Sequence, residues 1–153
     1  MIDTPVIVQT QRQPTAVIHL TIPRDQIQVV MGPAIQEVMG VVGAEGIIPQ
    51  DALFAYHLTM SPDVFDFEVG VPVAELIAPN GRVIPSHLPA AKVVRTVYHG
   101  PYEGLAEAWG KLDQWLADNG YEPVGDLWEV YQAGPETGDD SSKWRTEFNR
   151  PVK

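Results

Sequence analysis

Cysteine is absent from all 153 residues, so the chain has no disulfide framework and no thiol nucleophile, and thiol chemistry is excluded outright. That composition suits a reducing cytoplasm. Long apolar runs are missing too: the stretches present are far too short to span a bilayer, and the start MIDTPVIVQT has neither the basic opening nor the apolar run of an export leader. The expectation is a cytoplasmic, soluble chain with no membrane partner. Basic residues are scarce, 10 Lys and Arg against 20 Asp and Glu, for a formal net charge of −10. Such a surface repels phosphate backbones and favours cationic solutes, so direct nucleic-acid binding is not expected. The four histidines, His19, His57, His87 and His99, show no HExxH-type spacing, no glycine-rich phosphate loop occurs, and Ser141 and Ser142 lie in a polar loop without a nucleophile elbow. No metal, nucleotide or other cofactor is expected.

What is present centres on DLWEVYQAGP, residues Asp126 to Pro135. In a strand with a period of two, Glu129 shares its face with Leu127 and Tyr131, while Trp128 and Val130 point the other way, so both faces look at least partly covered. A covered carboxylate needs a partner, because desolvation disfavours its charged form. Glu129 is therefore either tied down inside the protein, waiting for a positive ligand, or, if its face is open, merely solvated.

Along the chain, Val6 to Thr10 and Thr15 to Ile22 read as one strand interrupted near Pro14. Helical spacing follows from Ile27 to Val42, and Pro33 predicts that the main helix begins there after a short turn. Asp51 to Met60 and Val64 to Val73 read as a hairpin joined by Ser61, Pro62 and Asp63. Ala74 to Pro89 is expected to be a connector, since Pro79, Asn80 and Gly81 make a turn and Pro85 and Pro89 oppose regular structure. Ala91 to Tyr98 is a further strand. Gly100 and Pro101 then open a helix whose apolar stripe runs Tyr102, Leu105, Trp109, Leu112, Leu116 and which ends at Asn119 and Gly120. Asp126 to Ala133 and Trp144 to Arg150 form a second hairpin around the polar loop GPETGDDSSK, which lacks an apolar anchor and is expected to be mobile.

The order strand, helix, strand, strand thus occurs twice, and the residues repeat with it. FAYHLTMSP from Phe54 stands over LWEVYQAGP from Leu127, which puts Tyr56 where the second copy has Glu129, and FEVGVPV from Phe67 stands over TEFNRPV from Thr146. The fold class expected is α+β: duplicated βαββ modules about a pseudo-twofold axis, with antiparallel strands, two main helices and a central ligand cleft. As a single domain over 1–153, module one would span about residues 5–73, the connector about 74–90 and module two about 91–152.

YHGPYEGLAEAWGKLDQWLADNG, WEVYQAGP and WRTEFNRPV together resemble the GyrI-like small-molecule-binding domain, also found as the effector-binding domain of AraC-type and multidrug-responsive transcription regulators. The resemblance covers nearly the whole chain and implies one pocket for lipophilic, often cationic compounds. It implies that Glu129 meets the ligand's positive charge and that Tyr131, Tyr56, Tyr98 and Trp109 supply aromatic walls. With no room for a helix-turn-helix before Val6, the expectation is a free-standing sensor. Stand-alone chains of this kind include gyrase inhibitors and hydrolases of strained toxins, so three classes stay open. They are a binder of small amphipathic cations, a hydrolase of reactive electrophiles using Glu129 as general base, and an inhibitor acting on a protein partner.

Overall fold

The computed structural model describes residues 2–60 and 63–153, and, within these, leaves aside the side chains of Gln28 and Met60. The expected hairpin turn at Ser61 and Pro62 falls outside the described residues. The chain divides into two compact units, Gln11–Ala90, and Ala91–Lys153 together with the N-terminal segment up to Thr10. All strand pairs given below are antiparallel, which is the mixed α+β class expected.

The unit Gln11–Ala90 is built from β2 (Gln13–Pro23), α1 (Ile27–Ala44), β3 (Phe54–Met60), β4 (Val64–Pro72) and β5 (Ile84–Leu88). Its strands lie in the order β3, β4, β2, β5. Strands β2 and β4 are covered on both faces, so that Ala16, Val17, Ile18, Phe67, Val69 and Val71 are buried completely or nearly so. Helix α1 contributes Ala34, Val38 and Val42 to this core, a four-residue spacing that keeps them on one stripe.

Two expectations are corrected here. Helix α1 does not begin at Pro33 but runs through it from Ile27, after a single 3-10 turn at Arg24–Gln26. Pro33 is solvent-exposed, where water satisfies the carbonyl it leaves without a donor, and the roughly 3 kcal/mol penalty is outweighed by the buried stripe that begins at Ala34. The stretch expected to be an irregular connector contains β5, paired to β2 with Pro85 opposite Ala16. Proline is tolerated there because β5 is an outer strand of its unit and one of its sides needs no ladder donor.

The second unit contains β1 (Val6–Gln9), β6 (Lys92–His99), α2 (Leu105–Asp118), β7 (Leu127–Ala133) and β8 (Arg145–Pro151), with the strand order β1, β6, β8, β7. Val6–Gln9 is thus a separate strand paired to β6, not the first half of β2. Helix α2 buries Ala108, Leu112 and Leu116 against Val94, Tyr98, Phe148 and Val152, with Leu105, Trp109 and Trp115 packed at the margin. The loop 134–143 contains two single-turn 3-10 helices, and its anchor is Trp144, whose indole Nε1–H donates to the Gly138 carbonyl.

Both units have the order β, α, β, β plus one added strand beside the first, and each hairpin carries a bulge. In β3–β4 the register shifts between His57 and Thr59, and in β7–β8 between Tyr131 and Ala133. Aligning the bulges matches His57 with Tyr131 and therefore Ala55, not Tyr56, with Glu129. The expected equivalence of Tyr56 and Glu129 is off by one residue, and a slip of one moves a side chain to the opposite face.

His57 is buried between Phe65 and Phe67, at ring distances of 5.3 and 5.2 Å, and its Nδ1 has no hydrogen-bond partner among the described residues. Burial, aided by the charge of Arg24, lowers its pKa from 6.5 to about 4. The unfolded chain therefore binds this proton first as pH falls, so stability is lost from pH 6.5 downward toward 4. His57→Leu is expected to flatten that limb by up to roughly 1.4 kcal/mol per pH unit in urea titrations at pH 7, 6 and 5. An unchanged slope would transfer the acid sensitivity to other groups.

Candidate functional site

The period-2 strand β7 puts Leu127, Glu129 and Tyr131 on one face, and both faces are covered: Leu127, Trp128, Glu129 and Val130 are all buried. The β7–β8 register sets Phe148 directly opposite Glu129 and Thr146 opposite Tyr131. From α2, the Trp109 indole stacks on Phe148 with centroids 4.2 Å apart and planes within 6° of parallel. That stack aims the indole N–H at the carboxylate. Trp109 Nε1 donates to Glu129 Oε1 at 2.6 Å, and the Tyr131 hydroxyl donates to Oε2 at 2.9 Å.

Glu129 therefore has a neutral donor on each oxygen and no salt-bridge partner among the described residues. Its pKa is raised above the ordinary carboxyl value because burial outweighs the two hydrogen bonds, which pull the other way. The Tyr131 hydroxyl is pushed far above its usual range by burial and then by the adjacent Glu129 charge. A second oxygen lone pair on each side remains for another donor or a cation.

Further rings surround this acid. Tyr102 stands edge-on to Tyr131 at 5.9 Å and tilts on Trp144 at 5.1 Å, and all three are partly accessible. Tyr98 stacks behind Phe148 at 6.0 Å, with its hydroxyl donated to the Pro101 carbonyl at 2.7 Å. The structure thus brings Glu129, Tyr131 and Trp109 into direct contact and sets Tyr98 one ring away. Tyr56 belongs to the other unit, where it lies across β3–β4 from Glu68, whose carboxylate accepts from Ser86 Oγ at 2.8 Å.

Phe148, Tyr102 and Trp144 were not singled out as site residues from the sequence. Tyr102 carried a signal, lying seven residues before Trp109 on the apolar stripe, but Phe148 is identified only by strand register. The opposite face of the same sheet holds a second acid: Glu147 accepts from Asn149 at 3.1 Å and Gln132 at 3.0 Å and lies 3.4 Å from Arg95 Nε. Unlike Glu129, this carboxylate has a cation within the protein. The unit Gln11–Ala90 also has an open groove of about 530 Å³ between 45–50 and 73–78, edged by Ile48, Leu76, Glu45 and Glu75. It contains none of the expected site residues and no buried polar group to orient a ligand, so the aromatic-walled acid is the stronger candidate. No helix among the described residues is long and apolar enough to cross a membrane.

The fold is similar to that of the EcmrR C-terminal domain, with 24% sequence identity, a TM-score of 0.83 and coverage of 98% of this chain and 97% of that one. In the EcmrR–DNA complex the matched chain is longer: this chain spans 57% of it at 23% identity and a TM-score of 0.82. SAV2435 bound to tetraphenylphosphonium is more distant, at 14% identity and a TM-score of 0.70, with 99% of this chain and 94% of that chain covered. No curated protein sequence matches the chain. The model of the GyrI-like small molecule binding domain matches residues 3–153, and the chain belongs to that family.

Proposed function

We propose that the chain binds small lipophilic cations and that the Glu129 carboxylate, walled by Trp109, Tyr131 and Tyr102, receives the positive charge. The observation that carries this reading is an acid buried among aromatic rings with hydrogen-bond donors but no cation of its own. An entering cation supplies the missing charge, and the ring faces add cation–π attraction of about 0.5–2 kcal/mol each. The binding of tetraphenylphosphonium by SAV2435, a protein of the same fold, and the acidic surface of this chain both support the reading. A sensing or sequestering role in the cytoplasm follows naturally from it.

A second reading rests on the raised pKa of Glu129, which suits a general acid or base acting on a bound electrophile. The variant Glu129→Gln separates the two. As a binder, the variant should lose at least tenfold, about 1.4 kcal/mol, in affinity for tetraphenylphosphonium by calorimetry, while tetraphenylborate, equal in shape and opposite in charge, binds neither protein appreciably. Equal affinity of parent and variant for the cation would remove Glu129 from the site. As a hydrolase, the variant should lose turnover of an alkylating substrate yet keep its affinity for an inert analogue.

The pH dependence has a definite sign. Because the folded pKa of Glu129 is raised, the folded state holds this proton more tightly than the unfolded chain, and the buried charge costs stability once pH rises past the unfolded value. Glu129→Gln is therefore expected to be at least as stable as the parent at pH 7 in thermal unfolding, its amide offering Oε1 to one donor and N–H to the tyrosine oxygen. A large drop in Tm would show that the carboxylate is structural. Affinity of the parent for a permanently charged cation should fall as pH is lowered through the Glu129 titration, and the variant should show no such limb.

A further inference from the structure

A ligand for Glu129 must reach a residue that is only 8% exposed. Tyr102 is the most exposed of the aromatic side chains beside Glu129. It is 36% exposed, yet its ring touches both Tyr131, the donor to Glu129, and Trp144.

The backbone that carries Tyr102 is pinned. Tyr98 Oη donates to the Pro101 carbonyl, Gly104 N donates to the same oxygen at 3.1 Å, and Gly100 N donates to the Trp144 carbonyl at 3.2 Å. Gly104 is required here by space, since a Cβ at that position would fall 2.1 Å from Tyr98 Oη. The side chain of Tyr102 is held quite differently: its hydroxyl makes no hydrogen bond to a described residue, and its ring packs on Tyr131 and Trp144. Turning the ring about its own torsions breaks those contacts without disturbing the backbone or leaving a buried polar group unpaired.

A neighbouring glycine is fitted to the same ring. Gly134 has φ −145° and ψ −151°, an extended conformation open to any residue, so its lack of a side chain is not a conformational need. A Cβ there would lie 2.3 Å from Tyr102 Oη and 3.0 Å from the Glu136 carboxylate, which accepts from Gly134 N. Gly134 leaves the space in which the Tyr102 hydroxyl rests.

We propose that Tyr102 is the specificity-determining residue of the Glu129 site: its ring covers the approach and stands as a cation–π wall for small cations, and must turn aside for bulky ones. The proposal rests on the Glu129 reading and adds to it a size selection among quaternary cations. A compact cation such as tetramethylammonium gains from the ring in place, whereas tetrabutylammonium gains from its removal.

The test is stopped-flow tryptophan fluorescence and calorimetry with these two probes on the parent, Tyr102→Ala, Tyr102→Phe, Gly134→Ala and Glu129→Gln. Tyr102→Ala is expected to associate with tetrabutylammonium about tenfold faster and to bind tetramethylammonium several-fold more weakly. Tyr102→Phe, which keeps the ring, should restore the parent's rate and size preference. Gly134→Ala retains the ring but displaces it, so it should speed association of the bulky cation even if Tyr102→Ala folds poorly. If neither Tyr102→Ala nor Gly134→Ala changes the rates or the preference while Glu129→Gln still weakens both cations, Tyr102 is no gate and the Glu129 site stands. If Glu129→Gln leaves both affinities at the parent's values, the site reading falls and this inference with it.

Discussion

An ionisable carboxylate taken out of water without a cation is among the more costly things a small fold can hold, and the second unit is arranged around making that tolerable. Glu129 receives one N–H and one O–H, the two strongest neutral donors that aromatic side chains possess. Each donor is placed by a different kind of structure. Tyr131 follows from strand alternation, whereas Trp109 comes from the helix and is oriented by its stack on Phe148. The Trp109 ring therefore packs against the core and holds an acid in the same position, so disturbing the core there alters the acid directly. Two neutral hydrogen bonds do not cancel a buried charge, and the raised pKa records the remainder. The cationic ligand proposed above supplies the charge that is left over.

The two halves of the chain show how a duplicated framework diverges in chemistry while its hairpins keep their form. With the bulges aligned, the position of Glu129 is held in the other unit by Ala55, and that of Tyr131 by His57. Ala55 is fully buried, and His57 is flanked by phenylalanines and kept neutral by them. One copy thus presents an acid with two aromatic donors, and the other an apolar surface with a depressed histidine. Glu68 and Glu147 occupy matching strand positions and both persist, each with protein donors. Both copies bury an acid with no salt-bridge partner among the described residues, Glu68 and Glu129, but Glu68 accepts from the Ser86 hydroxyl whereas Glu129 accepts from two aromatic donors.

Family membership agrees with small-molecule binding, and a fold shared with the EcmrR C-terminal domain and SAV2435 does not by itself fix the ligand. The polar residues that anchor Tyr102's backbone, the glycine that admits its hydroxyl and the aromatic pair that holds its ring are local features of this chain.

The amino-acid sequence by itself determined what depends on short-range periodicity. Residues two apart in a strand share a face whatever the rest of the chain does, so Glu129 and Tyr131 were legible as a pair, and residues three and four apart made the stripe of α2 readable. The absence of cysteine and the acidic balance were equally plain. Tertiary structure alone decided what depends on register and partner choice. That Phe148 faces Glu129, that Trp109 points its N–H at the acid, and that Val6–Gln9 pairs with β6 are matters of non-local pairing. The repeat illustrates the limit best: matched words in the sequence misplaced it by one residue, because equivalence is set by which residues stand opposite each other in the ladder, and a slip of one puts a side chain on the other face. Pro33 and Pro85 went the same way, since whether a missing donor costs anything depends on what lies beside the nitrogen, and that is known only once the chain has folded.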